Sequence, residues 1–188
     1  MNGTAQVCCV CAATSAAAGD DARRSEPHVS PVTFDRKDVV ARAARSSVYS
    51  GWWDGRRVAV KEMCWDDDPR QLREVALCGE LSHPNIAETF GWCRDGCSLL
   101  IVMPLCTEGS LADVLRRRAG PQPVPAEGGP LGWSGFFAVA SGIARALKYT
   151  ATRPSPVVHR KLRPANILLK DGEPLLSDVV ALPAAAFT

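Results

Sequence analysis

The sequence predicts an α+β protein built as two lobes, because strand patterns dominate its first part and helix patterns its last. The first part has short apolar strand candidates and one amphipathic helix candidate at 71–81. The last part has two helix candidates, 110–118 and 133–152, and one small hairpin. A connector at 104–108 separates the two parts, so the large lobe is expected at 109–188.

The small lobe is expected at 32–103, where strand candidates surround the helix candidate. Two of the strands flank Trp52-Trp53-Asp54-Gly55, and Asp-Gly is a signal for a hairpin turn. An acidic stretch with Pro69 favours the start of the helix. The strand candidates of this lobe are 48–51, 57–63, 86–92 and 98–103.

The large lobe is expected to begin with a helix that Ser110 caps. Pro and Gly are frequent at 120–130, which predicts a loop. The long helix at 133–152 has Ala and Gly on one face for close packing. The turn Asp171-Gly172 then joins two short strands, 167–169 and 175–176.

Composition places the chain among ordinary globular proteins. Its 188 residues can bury a core, and 46% are hydrophobic while 22% are charged. The net charge of +2 is too small to argue for nucleic acid or for a membrane surface, so no nucleic-acid partner is expected. No apolar run reaches the roughly 18 residues that a membrane span needs. We therefore expect no transmembrane segment and a cytoplasmic location.

Residues 1–31 are expected to be a disordered tail, because they are rich in Ala, Ser and Thr and then become polar and charged. Cys8, Cys9 and Cys11 are candidates for acylation, but no basic patch or second anchor supports it. The spacing of the eight cysteines argues against disulfides, so buried or exposed thiols in a reducing compartment are expected. Metal binding at Cys93 and Cys97 is the alternative, although no second pair completes a zinc site.

Several segments resemble the signature set of protein kinases in order and spacing. They include Val58-Ala59-Val60-Lys61 on a strand, His159-Arg160 with Asn166 further along, and Ser177-Asp178. The segments 83–86 (HPNI) and 100–111 (LIVMPLCTEGSL) look like those of the tyrosine-kinase-like group. The resemblance runs from about Phe34 to about Val180. It implies a two-lobed protein-kinase-like fold with a complete small lobe and a partial large lobe.

The resemblance implies ATP and Mg²⁺ as cofactors. Lys61 would hold the α- and β-phosphates, and Glu74, which lies ten residues before Pro84, would fix Lys61. Asn166 and Asp178 match the two metal positions and offer the hard oxygen ligands that Mg²⁺ prefers. By the same similarity, the adenine would contact Val48, Ala59 and Leu168 beside the gatekeeper Met103, with the Pro104 carbonyl and the Cys106 amide at its edge.

The pattern departs from the family at the catalytic position. The loop reads His159-Arg160-Lys161, and Lys161 stands where the family's aspartate accepts the proton of the substrate hydroxyl. An ammonium group donates hydrogen bonds and has no acceptor lone pair, so it cannot act as a base while protonated. We therefore expect this position to be inactive.

Three further departures weaken the pattern. Alanine or serine stands at 41, 43 and 46, where glycines of the phosphate-binding loop are expected. The metal motif reads Asp178-Val179-Val180 in place of Asp-Phe-Gly, and the chain is expected to be truncated within the large lobe. The chief hypothesis is an ATP-binding pseudokinase or truncated kinase that acts by binding a protein partner through an exposed face of the large lobe. The alternatives are an active Ser/Thr or tyrosine-kinase-like protein kinase, which transfers the γ-phosphate of ATP to protein hydroxyls, and a gene-model fragment that does not fold alone.

Overall fold

The computed structural model describes residues 4–7, 31–66, 68–118, 132–179 and 182–183. The chain divides into two compact units. The first unit consists of residues 1–82 and 88–105, and the second unit consists of residues 83–87 and 106–188. The predicted loop at 120–130 lies outside the described residues.

The first unit is built on one antiparallel six-stranded sheet with the order β1-β2-β3-β4-β6-β5. Its strands are β1 Thr4–Val7, β2 Val32–Ala43, β3 Ser46–Trp53, β4 Arg56–Cys64, β5 Gly91–Asp95 and β6 Ser98–Pro104. The predicted turn between β3 and β4 is confirmed. Asp54 and Gly55 have φ values of 48° and 71°, as hairpin turns with positive φ require.

One expectation for the first unit needs correction, and one strand was not predicted. The strand predicted at 86–92 begins only at Gly91, and Ile86 belongs to the second unit, where it bridges Leu176. The strand β2 was not predicted, because the charged run 35–38 interrupts the alternation that marks a strand. Of the tail expected to be disordered at 1–31, Thr4–Val7 form β1, and the remainder apart from Pro31 lies outside the described residues.

One face of this sheet carries the hydrophobic core of the first unit. Two aromatic contacts support the core: Phe34 stacks on Tyr49 with centroids 5.4 Å apart, and Trp53 stacks on Phe90 at 5.5 Å. Burying such apolar surface is the main favourable term in folding. The buried residues of the cluster are Val32, Phe34, Tyr49, Val58, Val60, Cys93, Leu100 and Val102.

The helix α1 of the first unit spans Pro69–Gly79, two residues earlier than predicted. Proline at the first helical position matches the expected start, because proline there has no N–H that needs an intrahelical partner. Val75 is 6% exposed and Leu81, just after the helix, is 3% exposed. These two side chains mark the buried side of the segment.

The second unit has two helices and two small antiparallel sheets. The helices are α2 Leu111–Arg118 and α3 Trp133–Ala151, and the strand pairs are β7 Val157–Val158 with β10 Leu182–Pro183 and β8 Ile167–Lys170 with β9 Glu173–Leu176. The predicted helices and the predicted hairpin at Asp171-Gly172 are confirmed, with φ values of 52° and 78° in the turn. The pair of β7 with β10 was not predicted from the sequence.

Ser110 caps α2 as predicted. Its Oγ accepts a hydrogen bond from the Asp113 N–H at 3.2 Å, and the Asp113 carboxylate accepts one from the Ser110 N–H at 2.8 Å. This reciprocal arrangement is a capping box with aspartate in the acidic position, and it satisfies two N–H groups at the start of the helix.

Asn85 joins the segment 83–87 to the rest of the second unit. Its side-chain Nδ2 donates to the Pro174 carbonyl at 3.0 Å, and its Oδ1 accepts from Arg145 Nε at 3.2 Å. Its backbone carbonyl accepts from the Leu176 N–H at 2.8 Å. The buried amide thus connects this segment to both α3 and β9.

One cysteine differs from the expectation that the cysteines are free thiols. Cys93 of β5 is disulfide-bonded, so the expectation is wrong at this position. Its apolar surroundings suggested a small buried hydrophobe, but such surroundings suit a buried disulfide equally well. Cys64, Cys78, Cys97 and Cys106 form no disulfide, and Cys8, Cys9 and Cys11 lie outside the described residues. No described helix is long and apolar enough to span a membrane.

Candidate functional site

The residues that the sequence predicts for the site fall into both units. Six belong to the first unit: Val48, Ala59, Lys61, Glu74, Met103 and Pro104. Five belong to the second unit: Cys106, Lys161, Asn166, Leu168 and Asp178. The geometry within each unit decides what its residues can do together.

In the first unit, four of the predicted residues share one face of the sheet. Val48 of β3 lies directly opposite Lys61 of β4, and Ala59 of β4 lies opposite Met103 of β6. Ala59 and Lys61 are two positions apart on one strand, so they point to the same side. Val60, the position between them, belongs to the hydrophobic core on the other side. The register therefore gathers an apolar surface with one lysine at its edge.

The remaining predicted residues of the first unit lie nearby in sequence or on the helix. Pro104 is the last residue of β6 and lies opposite Val58. Glu74 is half-buried in the middle of α1. Its pairing with Lys61 stays a prediction.

The segment where phosphate-binding glycines were expected is a tight hairpin between β2 and β3. Ala41 pairs with Val48 and Ala43 pairs with Ser46, which leaves a two-residue turn of Ala44 and Arg45. Neither turn residue has a positive φ. Alanine and serine therefore form an ordinary ladder here, in which every side chain adds bulk that glycine would lack.

In the second unit, His159 fixes the backbone of the loop that contains Lys161. His159 is 4% exposed, and its Nδ1 accepts a hydrogen bond from the Lys161 N–H at 3.1 Å. Because Nδ1 is the acceptor, the neutral ring carries its proton on Nε2, which donates to the Ser177 carbonyl at 2.9 Å. The imidazole thus connects the loop to the residue just before Asp178.

Asn166 holds the other end of the same loop. It is 4% exposed; its Nδ2 donates to the Lys161 carbonyl at 2.8 Å, and its Oδ1 faces Arg163 Nε at 3.4 Å. Its backbone carbonyl accepts hydrogen bonds from the N–H and the Oγ of Ser177, at 2.9 and 3.1 Å. Ser177 thus links the two predicted metal ligands, because it is hydrogen-bonded to Asn166 and directly precedes Asp178.

Backbone strain marks the same region. Arg160 and Asp178 both have a φ of 57°, in the left-handed region that non-glycine residues rarely adopt. The other two non-glycine residues with positive φ in the described part, Asp54 and Asp171, sit in hairpin turns. Strained residues outside turns persist where the surroundings hold them, and they cluster at functional sites.

The predicted adenine contacts of the second unit lie around the start of α2. Cys106 is 8% exposed, its carbonyl accepts from the Gly109 N–H at 3.3 Å, and burial raises the pKa of its thiol. Leu168 of β8 is half-buried and bridges Ser110. The segment that follows residue 105 is thereby attached to the hairpin that carries Leu168.

Comparison with known proteins agrees with these motifs. The family model described as protein tyrosine and serine/threonine kinase matches residues 34–180. The chain belongs to the protein kinase family. Among the curated relatives of this kinase domain, "Serine/threonine-protein kinase PBL27" of Arabidopsis thaliana is 37% identical over 140 residues, which is 70% of this chain and 26% of that protein.

Two other relatives are similar to the kinase domain over comparable lengths. "PTI1-like tyrosine-protein kinase 3" of Arabidopsis thaliana is 35% identical over 143 residues, or 72% of this chain and 35% of that protein. "LRR receptor kinase SERK2" of Oryza sativa subsp. japonica is 31% identical over 179 residues, or 86% of this chain and 28% of that protein. The kinase domain therefore spans well under half the length of these relatives. The two-lobed α+β fold and the tyrosine-kinase-like group expected from the sequence are confirmed.

Sequence reasoning missed the side chains that hold this part of the kinase domain together. His159, Asn85 and Ser177 were noted as pieces of motifs, but their hydrogen bonds reach across the fold. The signal was present in part, because a histidine or an asparagine needs hydrogen-bond partners if it is buried. Which partners they find depends on contacts far apart in the sequence.

Proposed function

We propose that this chain is a protein-kinase-like, ATP-binding domain of the pseudokinase kind, which acts by binding and does not transfer phosphate. The observation that carries the proposal is Lys161. Its backbone is held on both sides by His159 and Asn166, and its side chain is exposed. A general base must accept a proton, and a protonated lysine cannot. The loop 159–166 contains no carboxylate that could replace it.

The donor set of the second unit suits Mg²⁺. Asn166 contributes an amide oxygen and Asp178 a carboxylate, and Ser177 ties them into one segment. Hard oxygen ligands of this kind, together with phosphate oxygens and water, are what Mg²⁺ takes in kinases. When bound, the ion would neutralise the phosphates of ATP. Arg163 lies 3.4 Å from Asn166 Oδ1, and its positive charge would weaken the ion's hold.

The first unit supports nucleotide binding through its apolar face and Lys61. An adenine ring needs apolar plates, and Val48, Ala59 and Met103 share one face of the sheet. Lys61 shares this face and would meet the phosphates. The alanines at 41 and 43 keep the backbone of the hairpin further from a ligand than glycine would, so we expect weak affinity for the nucleotide.

We also propose the boundaries of the lobes in this domain. The small lobe covers 32–103, the connector covers 104–108, and the large lobe covers 109–188.

Thermal unfolding of the purified chain with and without Mg²⁺-ATP tests the nucleotide part of this proposal. A ligand that binds only the folded state stabilises it, by about 2.7 kcal/mol at a concentration 100 times its Kd. We expect a rise in Tm that Lys61→Ala abolishes. Lys148→Ala removes an exposed lysine of α3 and should leave the rise unchanged.

Two outcomes of the unfolding experiment and one of a phosphotransfer assay would count against the proposal. A cooperative transition with no shift would mean a scaffold that does not bind nucleotide. No cooperative transition would favour a fragment that does not fold alone. Metal-dependent incorporation of phosphate into a general protein substrate by the wild-type chain would contradict the proposal of function by binding alone.

The second candidate is an active protein kinase that transfers the γ-phosphate to protein hydroxyls. Lys61, Glu74, Asn166 and Asp178 favour it, because positioning and electrostatics supply most of phosphoryl transfer. Incorporation of phosphate by the wild-type chain would support this candidate, and a silent wild-type chain that still binds Mg²⁺-ATP would count against it. Lys161→Asp would restore the acceptor, and a Lys161→Asp variant that restored no activity would count against the idea that only the base is missing.

A domain that acts by binding needs a protein partner. We propose that the partner contacts the second unit on the side of α3 that exposes Phe136 and Phe137, which are 53% and 61% exposed. Exposed aromatic pairs are enriched at protein interfaces. Phe137→Ser should weaken partner capture without changing the response to Mg²⁺-ATP, and unchanged capture would refute this placement.

A further inference from the structure

The loop that replaces the catalytic loop is a small cationic surface. Arg160, Lys161 and Arg163 are all exposed, and the segment 159–166 has three cationic residues and no acidic residue. The chain as a whole is nearly neutral, with a net charge of +2. The positive charge of this loop is therefore local.

The backbone that presents these cations is held in place from the inside. The Lys161 N–H donates to His159 Nδ1 at 3.1 Å and to the His159 carbonyl at 2.7 Å, and the Lys161 carbonyl accepts from Asn166 Nδ2 at 2.8 Å. His159 and Asn166 are both 4% exposed. A fixed backbone lowers the entropy that a ligand must overcome when it orders the binding residues.

Arg163 is oriented by a contact at one edge of its guanidinium. Its Nε donates to Asn166 Oδ1 at 3.4 Å, a bond that does not involve the two terminal nitrogens. The guanidinium is planar and its donors form a fork that matches phosphate oxygens, while the ammonium of Lys161 acts as a point charge. The two groups are two positions apart in a loop whose backbone is fixed.

We propose that Lys161 and Arg163 bind the phosphate of a phosphorylated serine or threonine side chain from a protein partner. This inference rests on the proposed function, in which position 161 no longer serves as a base. A carboxylate there would accept a proton from a neutral hydroxyl, whereas an ammonium complements an anion. A phosphate monoester carries about −1.5 to −2 charges, which two cations balance, while a nucleic acid would require a longer basic surface.

Fluorescence anisotropy with the full chain tests the proposal. The probe is a labelled peptide with degenerate positions around a central serine, in matched phosphorylated and unphosphorylated forms. Mg²⁺ is present throughout, because the proposed metal ligand Asp178 lies close to this loop. Asp178 follows Ser177, whose N–H donates to the carbonyl of Asn166 at the end of the loop. We expect the phosphorylated form to bind about tenfold more tightly or better, since a hydrogen bond to a charged group has roughly this effect.

The variants distinguish binding of the phosphate at this site from nonspecific attraction of the peptide to positive charge elsewhere on the protein. Lys161→Gln and Arg163→Gln should each remove most of the preference for phosphate, and Lys148→Gln, which removes an exposed lysine of α3, should keep it. Equal binding of the two peptides, no binding of either, or a preference that survives Lys161→Gln would overturn the proposal. So would single-stranded RNA that competes as well as the phosphopeptide in a Lys161-dependent manner, because the phosphate would then belong to a nucleic acid.

The outcome is independent of nucleotide binding. A Tm rise with Mg²⁺-ATP that Lys61→Ala abolishes would support the nucleotide site even if no phosphopeptide bound. Conversely, a phosphopeptide preference without any response to Mg²⁺-ATP would retain the cationic site and remove the nucleotide part of the proposed function.

Discussion

Gly142 of α3 offers a test of the packing between this helix and β9, because two physical effects predict opposite signs. Replacing a mid-helix glycine with alanine normally stabilises a helix by about 1 kcal/mol. In this domain a Cβ at position 142 would lie 2.5 Å from Pro174 Cγ and 3.0 Å from Asn85 Nδ2. The structure therefore predicts that Gly142→Ala destabilises the protein.

The size of the effect follows from what must move. Carbon atoms in contact prefer about 3.5–4.0 Å, so the new methyl group overlaps Pro174 by roughly 1 Å. Pro174 is fully buried on β9, and its carbonyl holds Asn85 Nδ2. Overpacking typically costs about 1–3 kcal/mol, and disturbing this hydrogen bond adds about 1 kcal/mol. After subtracting the gain in helix propensity, we expect a net loss of about 2 kcal/mol.

Thermal unfolding followed by circular dichroism measures the effect. In a chain of this size, about 2 kcal/mol corresponds to a fall in Tm of roughly 4–8 °C. Ser141→Ala is the matched control, because Ser141 is the exposed neighbour on the same helix and the change tests propensity alone. If Gly142→Ala raised Tm as Ser141→Ala should, the close contact of α3 with Pro174 would be refuted.

Three further predictions concern single contacts. Asn85→Ala should lower the free energy of unfolding by about 2–4 kcal/mol, because it removes a buried hydrogen bond to the Pro174 carbonyl and a partly buried one from Arg145. A change below about 1 kcal/mol would contradict its role. Hydrogen bonds from Ser110 hold the pKa of Asp113 below its ordinary value of 3.8, so its stabilisation is present above pH 3.8 and lost as pH falls through the folded-state value. The Tm gap between wild type and Asp113→Ala should therefore narrow in acid, and a constant gap would count against the capping box. Arg36→Gln should lower the free energy of unfolding by less than about 1 kcal/mol, because the ion pair that Arg36 forms with Glu62 at 2.8 Å is exposed. The loss should be smaller still in high salt, which screens exposed charges. A loss that does not depend on salt would show that the ion pair is not its cause.

Local patterns were enough to predict most elements of the fold. The Asp-Gly dipeptides at 54–55 and 171–172 marked two hairpins, because glycine and aspartate adopt positive φ where the turn needs it. The serine at 110 marked the start of α2, because a hydroxyl there satisfies N–H groups that the helix leaves open. Each of these signals acts over a few residues.

Elements that depend on distant partners could not be predicted in the same way. The strand β2 is charged at 35–38, and it pairs with β3 on either side of that run, at 32–34 and again from Val39 onward. The segment 86–92 was predicted as one strand, yet Ile86 bridges Leu176 in the second unit and β5 begins only at Gly91. Strand formation in such segments reflects pairing more than composition.

In the candidate site, too, some features follow from single residues and others depend on contacts between distant residues. The prediction that position 161 cannot act as a base rests on the identity of Lys161 alone, because the argument concerns the chemistry of one side chain, and it stays a prediction. The positive φ of Arg160 and the bonds of His159 to Ser177 could not be read from the sequence. They are tertiary features that require the folded loop.

The folded loop also explains why its chemistry can change without loss of structure. At position 161, the bonds to His159 and Asn166 use the backbone N–H and carbonyl, while the lysine side chain points to solvent. Lys161→Asp should therefore leave the free energy of unfolding within about 0.5 kcal/mol of the wild-type value, as for most exposed substitutions. His159→Ala, by contrast, removes both ring contacts and should cost about 2 kcal/mol or more. If the two variants unfolded at the same temperature, the loop would not be held by its backbone, and the exchange of aspartate for lysine would have required compensation elsewhere in the domain.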